Sequence, residues 1–265
     1  MKLRIAAFLV LIPCLSFSLA FSQMTGRQVM EEQKKRHDVK SELTVDIMLL
    51  VDRNNKQEQR TMKTYHKDLG GGENRSLVVF EEPAKVKGTA MLTWEHNEAD
   101  DDQWLYLPSQ KKMRRIAAAS KKSYFMGTDL TYEDMESEDI DEYNYTMLDP
   151  EAVDGQDCYV LEAVPVDQAK LRASGYSKRK LWVRQDIFYT VKIEFFDQRG
   201  RQIKTQTNLE LEQAKGTAWR AKKSMVDNIT RKHKTLTAVK SQQIGVKLDD
   251  AIFTERYILS ERHIQ

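Results

Sequence analysis

The sequence predicts a mainly β chain of the α+β class. Its central feature is one antiparallel sheet that its own twist curls into a barrel or half-barrel, with a few helices lying over it. Three observations predict this. Apolar residues recur with a period of two in roughly a dozen short segments of the 265 residues. Gly, Asn and Asp clusters punctuate those segments at hairpin spacing. The strands are too numerous for a flat sheet, because twist accumulates from strand to strand.

The elements follow in order. Lys2 and Arg4 precede an apolar run from Ile5 to Leu15, and Ala20 and Ser22 stand at small-residue positions before Gln23. This is the pattern of a secretory signal peptide, so residues 1–22 are expected to be removed and 23–265 to form one domain. A membrane anchor would need about 20 uninterrupted apolar residues, and Pro13 and the following serines break the run. Cys14, just after Pro13 within that run, does not sit as a lipidation site would. Thr25 and Gln28 form a capping box that opens a polar helix reaching about Asp38.

From Ser41 the period changes to two. Leu43, Val45, Ile47, Leu49 and Val51 share one strand face, and Met48 and Leu50 the other. A turn at Asp52–Lys56 leads to a return strand over Glu58–Lys67, and Gly70-Gly71-Gly72 reverses the chain again. Strands follow at Leu77–Phe80, Ala90–His96 and Trp104–Leu107, then a basic turn and short strand over Lys111–Ile116. The stretch 133–142 is strongly acidic, and the basic turn around Lys111, Lys112, Arg114 and Arg115 is a natural partner for it. Further strands are expected at Tyr143–Leu148, Asp157–Val164, Lys178–Arg184 (Trp182 facing away from Leu181 and Val183), Phe188–Phe196, Gln202–Leu211, Thr217–Asp227 and Lys234–Val239. A tail strand is expected at Glu255–Leu259.

Charge and motif content exclude several function classes. Without Lys2 and Arg4 the basic and acidic residues balance at 40 each, where a nucleic-acid binder shows a basic excess. Cys158 is then the lone cysteine, so an intrachain disulfide is excluded. The sequence contains no Gly-x-Ser-x-Gly elbow and no His-Glu-x-x-His. Its five histidines are scattered through polar contexts and read as surface or strand residues. The acidic run lacks the glycine and terminal glutamate of a calcium loop. No cofactor, metal or catalytic residue is therefore expected.

Several strands instead carry apolar side chains on both faces. Met48, Leu50, Phe80, Met91, Trp94, Trp104, Tyr106 and Trp182 are the candidate ligand-binding residues. A one-sided antiparallel sheet would show polar residues on the second face. Two readings remain open: helices and loops cover that face as plain core, or it lines a cavity for apolar ligands.

The run Asp101–Pro108, reading DDQWLYLP, is followed by the basic Lys111–Ile116 and by Phe125–Asp134, reading FMGTDLTYED. These residues resemble the LolA-like outer-membrane lipoprotein-sorting proteins, in particular the type associated with RND/MMPL exporters. The Lys87-Gly88-Thr89 turn and the Phe253–Tyr257 tail are similar too. The resemblance implies a LolA/LolB-like incomplete β-barrel with helices over its open concave side, and an exported, periplasmic, non-enzymatic monomer. It implies a carrier that shelters acyl chains of a lipoprotein or a free lipid, with an inner-membrane RND/MMPL-type transporter as partner. Arg114, Arg115, Phe125, Met126, Asp129 and Tyr132 are the expected lid and partner contacts. The alternative is a non-catalytic envelope interaction protein without lipid cargo.

Overall fold

The computed structural model describes residues 24–97 and 99–264, so the expected signal peptide lies outside the described residues. Helix α1 (Gly26–His37) begins where the capping box placed it. Thr25 Oγ1 accepts from the Gln28 amide at 3.2 Å, and the Gln28 side chain accepts from the Thr25 amide at 2.8 Å. Lys34, Lys35, Arg36 and His37 fill its last turn, where cations suit the helix dipole.

Thirteen strands follow in one antiparallel sheet. The first six are β1 (Ser41–Val51), β2 (Gln57–Gly70), β3 (Glu73–Glu82), β4 (Ala90–Glu95), β5 (Asp102–Leu107) and β6 (Lys112–Arg115). They form a meander that walks outward from β1. The chain then crosses to the far edge through 116–142 and walks back through β7 (Tyr143–Val153), β8 (Gln156–Pro165), α2 (Gln168–Ala173), β9 (Lys178–Arg184), β10 (Thr190–Phe196), β11 (Gln202–Lys215), β12 (Ala218–Asn228) and β13 (His233–Ile244). Strand β13 closes against β1, while β6 and β7 are the two edges, so the sheet stays open.

Its curvature follows from the contacts of the crossing segment. Ser137 donates its amide to Glu95 on β4 at 2.7 Å, and the next residue, Glu138, binds Arg179 on β9 at 2.7 Å. Eight strand spacings separate β4 from β9, about 38 Å on a flat sheet. Adjacent residues cannot span that distance. The sheet is therefore curled, and the crossing segment lies on its inner side.

The tail departs from expectation. Glu255–Leu259 is a short helix, α3, rather than a strand. Thr254 caps it, its side chain accepting from the Tyr257 amide at 3.2 Å. Phe253 and Ile258 are both buried on the same side of the sheet, whereas five residues apart on one strand they would point to opposite faces. Strand β10 also starts later than the sequence suggested. Phe188 has φ of 52° and donates its amide back to Arg184 at 2.8 Å, so the turn extends to Tyr189.

Candidate functional site

The two sheet faces are packed by different parts of the chain. On the inner face, α1 lays Val29 and Met30 over Leu161, Ala163, Leu181 and Val183 of β8 and β9. Across the hollow, Met48 and Leu50 of β1, Met62 of β2, Val78 and Phe80 of β3 and Met91 of β4 form a second apolar floor. Alternation along each strand puts them there: Met48 faces Arg60 and Met62 faces Phe80 in the register.

No regular element covers this floor. The 116–142 connection does so, with only isolated 3₁₀ turns. Phe125, fully buried, stacks on Phe80 with ring centroids 5.7 Å apart, and Tyr132 packs edge-on against Phe125 at 5.6 Å. The chain's own rings thus occupy the apolar floor.

Polar contacts hold the segment down. Asp129, with no exposed surface, accepts from Thr235 Oγ1 at 2.8 Å, from Arg231 at 3.0 Å and bonds His233 Nδ1 at 2.5 Å. Its amide donates to Thr235 Oγ1 at 2.9 Å. Arg231 also binds the Thr128 and Gly127 carbonyls, and Arg60 binds the Met126 carbonyl at 2.7 Å. Lys204, buried between the Tyr176 and Phe195 rings, donates to the Asp129 carbonyl at 3.1 Å and pairs with Asp134. Tyr176 completes the network by donating to Asp134 at 2.9 Å, and burial drives its phenol well above the usual range. Removing one partner from such a buried charge network costs about 3–5 kcal/mol.

Between α1, α2 and the crossing segment opens a cleft of about 810 Å³, lined by Arg27, Glu31, Lys121, Glu136, Ile140 and Lys170 among others. Its rim is charged. Burial raises the Glu136 carboxyl to about 7 even with the Lys121 ammonium 2.5 Å away. The acidic stretch does not pair with the basic turn, as the sequence suggested. Asp134 binds Lys204, Glu136 binds Lys121, Glu138 binds Arg179, Asp141 binds Arg27 and Glu142 binds Lys170. Arg115 takes Asp102 and Arg114 takes Gln110. The basic turn is at the β6 edge, while the acidic stretch crosses the hollow toward β7.

The sequence-predicted site residues divide between the faces. Met48, Leu50, Phe80 and Met91 share the inner floor with Phe125 and Tyr132, and Met126 packs beside them. Trp94, Trp104 and Tyr106 are on the outer face, beneath Phe253 and Ile258 of the tail. Trp94 Nε1 donates to the Phe253 carbonyl at 2.9 Å and Tyr106 donates to Glu261 at 2.8 Å. Trp182 is also outward, packed with Cys158, Val160 and Val191 and flanked by the Lys192 and Lys180 ammonium groups at 4.0 and 4.6 Å. Arg114 and Arg115 are exposed on edge strand β6. Lys204, Arg231, Thr235 and Tyr176 went unmarked in the sequence, and His233 read as an ordinary strand residue. Lys204, Thr235 and His233 are polar residues at inner-facing strand positions, a signal visible only once the inner face is known, while Arg231 and Tyr176 sit in connections and carry no such signal.

The Asp129–His233 pair resembles the orienting half of a catalytic triad, but Thr235 spends its hydroxyl on Asp129. No hydroxyl or thiol donates to the other His233 nitrogen among the described residues. Also among the described residues, no group of His, Cys, Asp or Glu is arranged to hold a metal ion.

A family model described as an uncharacterized protein matches residues 72–260. Among solved structures, an outer membrane lipoprotein-sorting protein domain from Vibrio parahaemolyticus is 30% identical, with a TM-score of 0.83, over 88% of this chain and 98% of that one. A DUF1329 family protein from Desulfovibrio piger is 31% identical, with a TM-score of 0.83, over 88% and 97% of the two chains. A LolA superfamily protein from Nitrosomonas europaea shares the fold at 22% identity and a TM-score of 0.69, over 89% and 100%. No curated protein matches the chain.

Proposed function

The chain belongs to the LolA-like outer-membrane lipoprotein-sorting proteins, and from that premise we propose that it is a periplasmic, non-catalytic carrier of acyl chains. The cargo is a lipid-modified protein or a free lipid, received from an inner-membrane transporter of the RND/MMPL type. One observation carries the reading. The inner apolar floor is covered by rings on an irregular connection rather than by a packed helix or strand.

Magnitudes favour exchange of those rings for a hydrocarbon tail. Burying an aromatic or methionine side chain stabilises by about 1.5–3 kcal/mol. A long acyl chain at about 0.8 kcal/mol per methylene gains roughly 10 kcal/mol or more. The tail therefore outweighs Phe125, Met126 and Tyr132 together, with a margin near the cost of breaking the Asp129 network. Loading is then near balance, and slow without a partner to release the segment. Met48, Leu50, Phe80 and Met91 become the cargo floor, and the cleft beside α1 the route in.

Two measurements test this. Mass spectrometry of protein purified natively from its envelope should recover bound lipid. A fluorescent fatty acid should load faster into Phe125→Ala than into the unaltered protein, at a stability cost of about 3–5 kcal/mol. Absence of recovered lipid together with no uptake by either form would sink the carrier and leave an envelope interaction protein without lipid cargo.

A further inference from the structure

One end of the sheet concentrates exposed cations. In the antiparallel order, the β1–β2, β3–β4, β5–β6, β10–β11 and β12–β13 turns all project from one end. Those turns carry Arg53, Lys56, Lys87, Lys111, Arg199 and Lys232, all exposed. None of the six pairs with an acid among the described residues. Of the acids nearby, Asp52 accepts the Asn54 and Lys56 amides, Asp197 binds Arg201 and Glu82 accepts from Thr61 Oγ1. The opposite end is mixed, exposing Asp100, Asp154 and Asp157 together with Lys40, Lys215 and Lys247. A formal charge of only +2 thus conceals one basic end.

The basic end also presents grease. Ile229, in the β12–β13 turn, is 53% exposed and is followed within three residues by Arg231 and Lys232. An apolar tip ringed by cations suits the interface of a bilayer with anionic headgroups, where the side chain enters the acyl boundary and the cations stay at phosphate depth. The same turn supplies Arg231, which holds the Gly127 and Thr128 carbonyls of the covering segment.

We propose that this basic end is a docking face for an anionic phospholipid surface, with Ile229 as its inserting tip, and that docking draws Arg231 away from the segment over the inner floor. The purpose of docking rests on the carrier reading, but its measurement does not, because vesicle binding needs no cargo. An acidic protein surface is the competing occupant. It would use the cations and leave Ile229 without a role.

Co-sedimentation with vesicles decides the matter. The unaltered protein should bind equimolar phosphatidylglycerol–phosphatidylcholine vesicles and ignore pure phosphatidylcholine, with binding lost at high salt. Each cation near the surface is worth roughly fivefold in affinity, so the triple variant Arg53→Gln, Lys56→Gln, Lys232→Gln should bind about a hundredfold more weakly. The three side chains are exposed and unpaired, so its melting curve should be unchanged. Ile229→Ser should weaken vesicle binding about tenfold. Equal binding to both vesicle types, or a triple variant as tight as the unaltered protein, overturns the proposal. Failure to bind either vesicle also overturns it and leaves the acidic protein as the occupant. Whether lipid copurifies is a separate result that bears on the carrier reading alone.

Discussion

Asp46 shows how much a single position depends on its surroundings. Within Leu43–Val51 it reads as a polar residue on a half-polar face, yet it is 6% exposed. Burial raises its carboxyl to about 6, with Glu42 adding to the rise and a hydrogen bond from Thr44 at 2.9 Å opposing it. In the unfolded chain it ionises near its ordinary value of 3.8. As pH climbs from about 4 to about 6 the unfolded state sheds this proton while the folded state keeps it, so stability falls across that window and stays lower above it. Asp46→Asn should accordingly gain about 3 kcal/mol at pH 8 and almost nothing at pH 4. Urea denaturation at the two pH values reads this directly, and an equal gain at both would show that ionisation is not the cause. Asp129 teaches the complementary lesson. It was legible as part of a covering segment, but its partner Thr235 is 106 residues away, and nothing local announces such a pairing.

Elements whose signals are local were readable. The Thr25–Gln28 capping box is written in four consecutive residues, and the structure contains both of its hydrogen bonds. Thr25→Ala should cost about 1 kcal/mol and speed amide exchange in the first turn of α1, with the β1 amides unaffected. If β1 exchanged equally fast, α1 would be opening together with the sheet rather than fraying from its cap. The β1–β2 hairpin was equally legible, because Asp52 caps its own turn through the Asn54 and Lys56 amides. The tail was not. Its apolar residues fit a strand or a helix equally well over so short a span, and the choice fell to the Thr254 cap and to packing against Leu92 and Tyr106.

At the scale of the molecule, the question is which strand face looks inward. Trp104 is on the outer face against Trp94, with ring centroids 4.9 Å apart, beneath the C-terminal tail. Trp104→Ala should therefore cost roughly 3 kcal/mol in stability while leaving fatty-acid uptake unchanged. Met91→Ala, one residue from Leu92 but on the opposite face, should alter uptake as well as stability. Parallel denaturation and probe-binding curves separate the two effects, and a Trp104 variant that lost uptake with its fold intact would return the tryptophan to the cargo site.

Periodicity, turn chemistry and caps are interactions between near neighbours, so the chain alone determined most of its strands and hairpins, its first helix and the curled antiparallel class. Inside and outside are different in kind. Where both faces of a strand are apolar, a period of two separates the faces without ranking them. The ranking came from the 116–142 connection, which must cross from the β6 edge to the β7 edge of a curled sheet and so buries one face under Phe125 and Tyr132. The tail then takes the other. Only the tertiary structure could decide that, because it depends on groups more than a hundred residues apart meeting across a hollow.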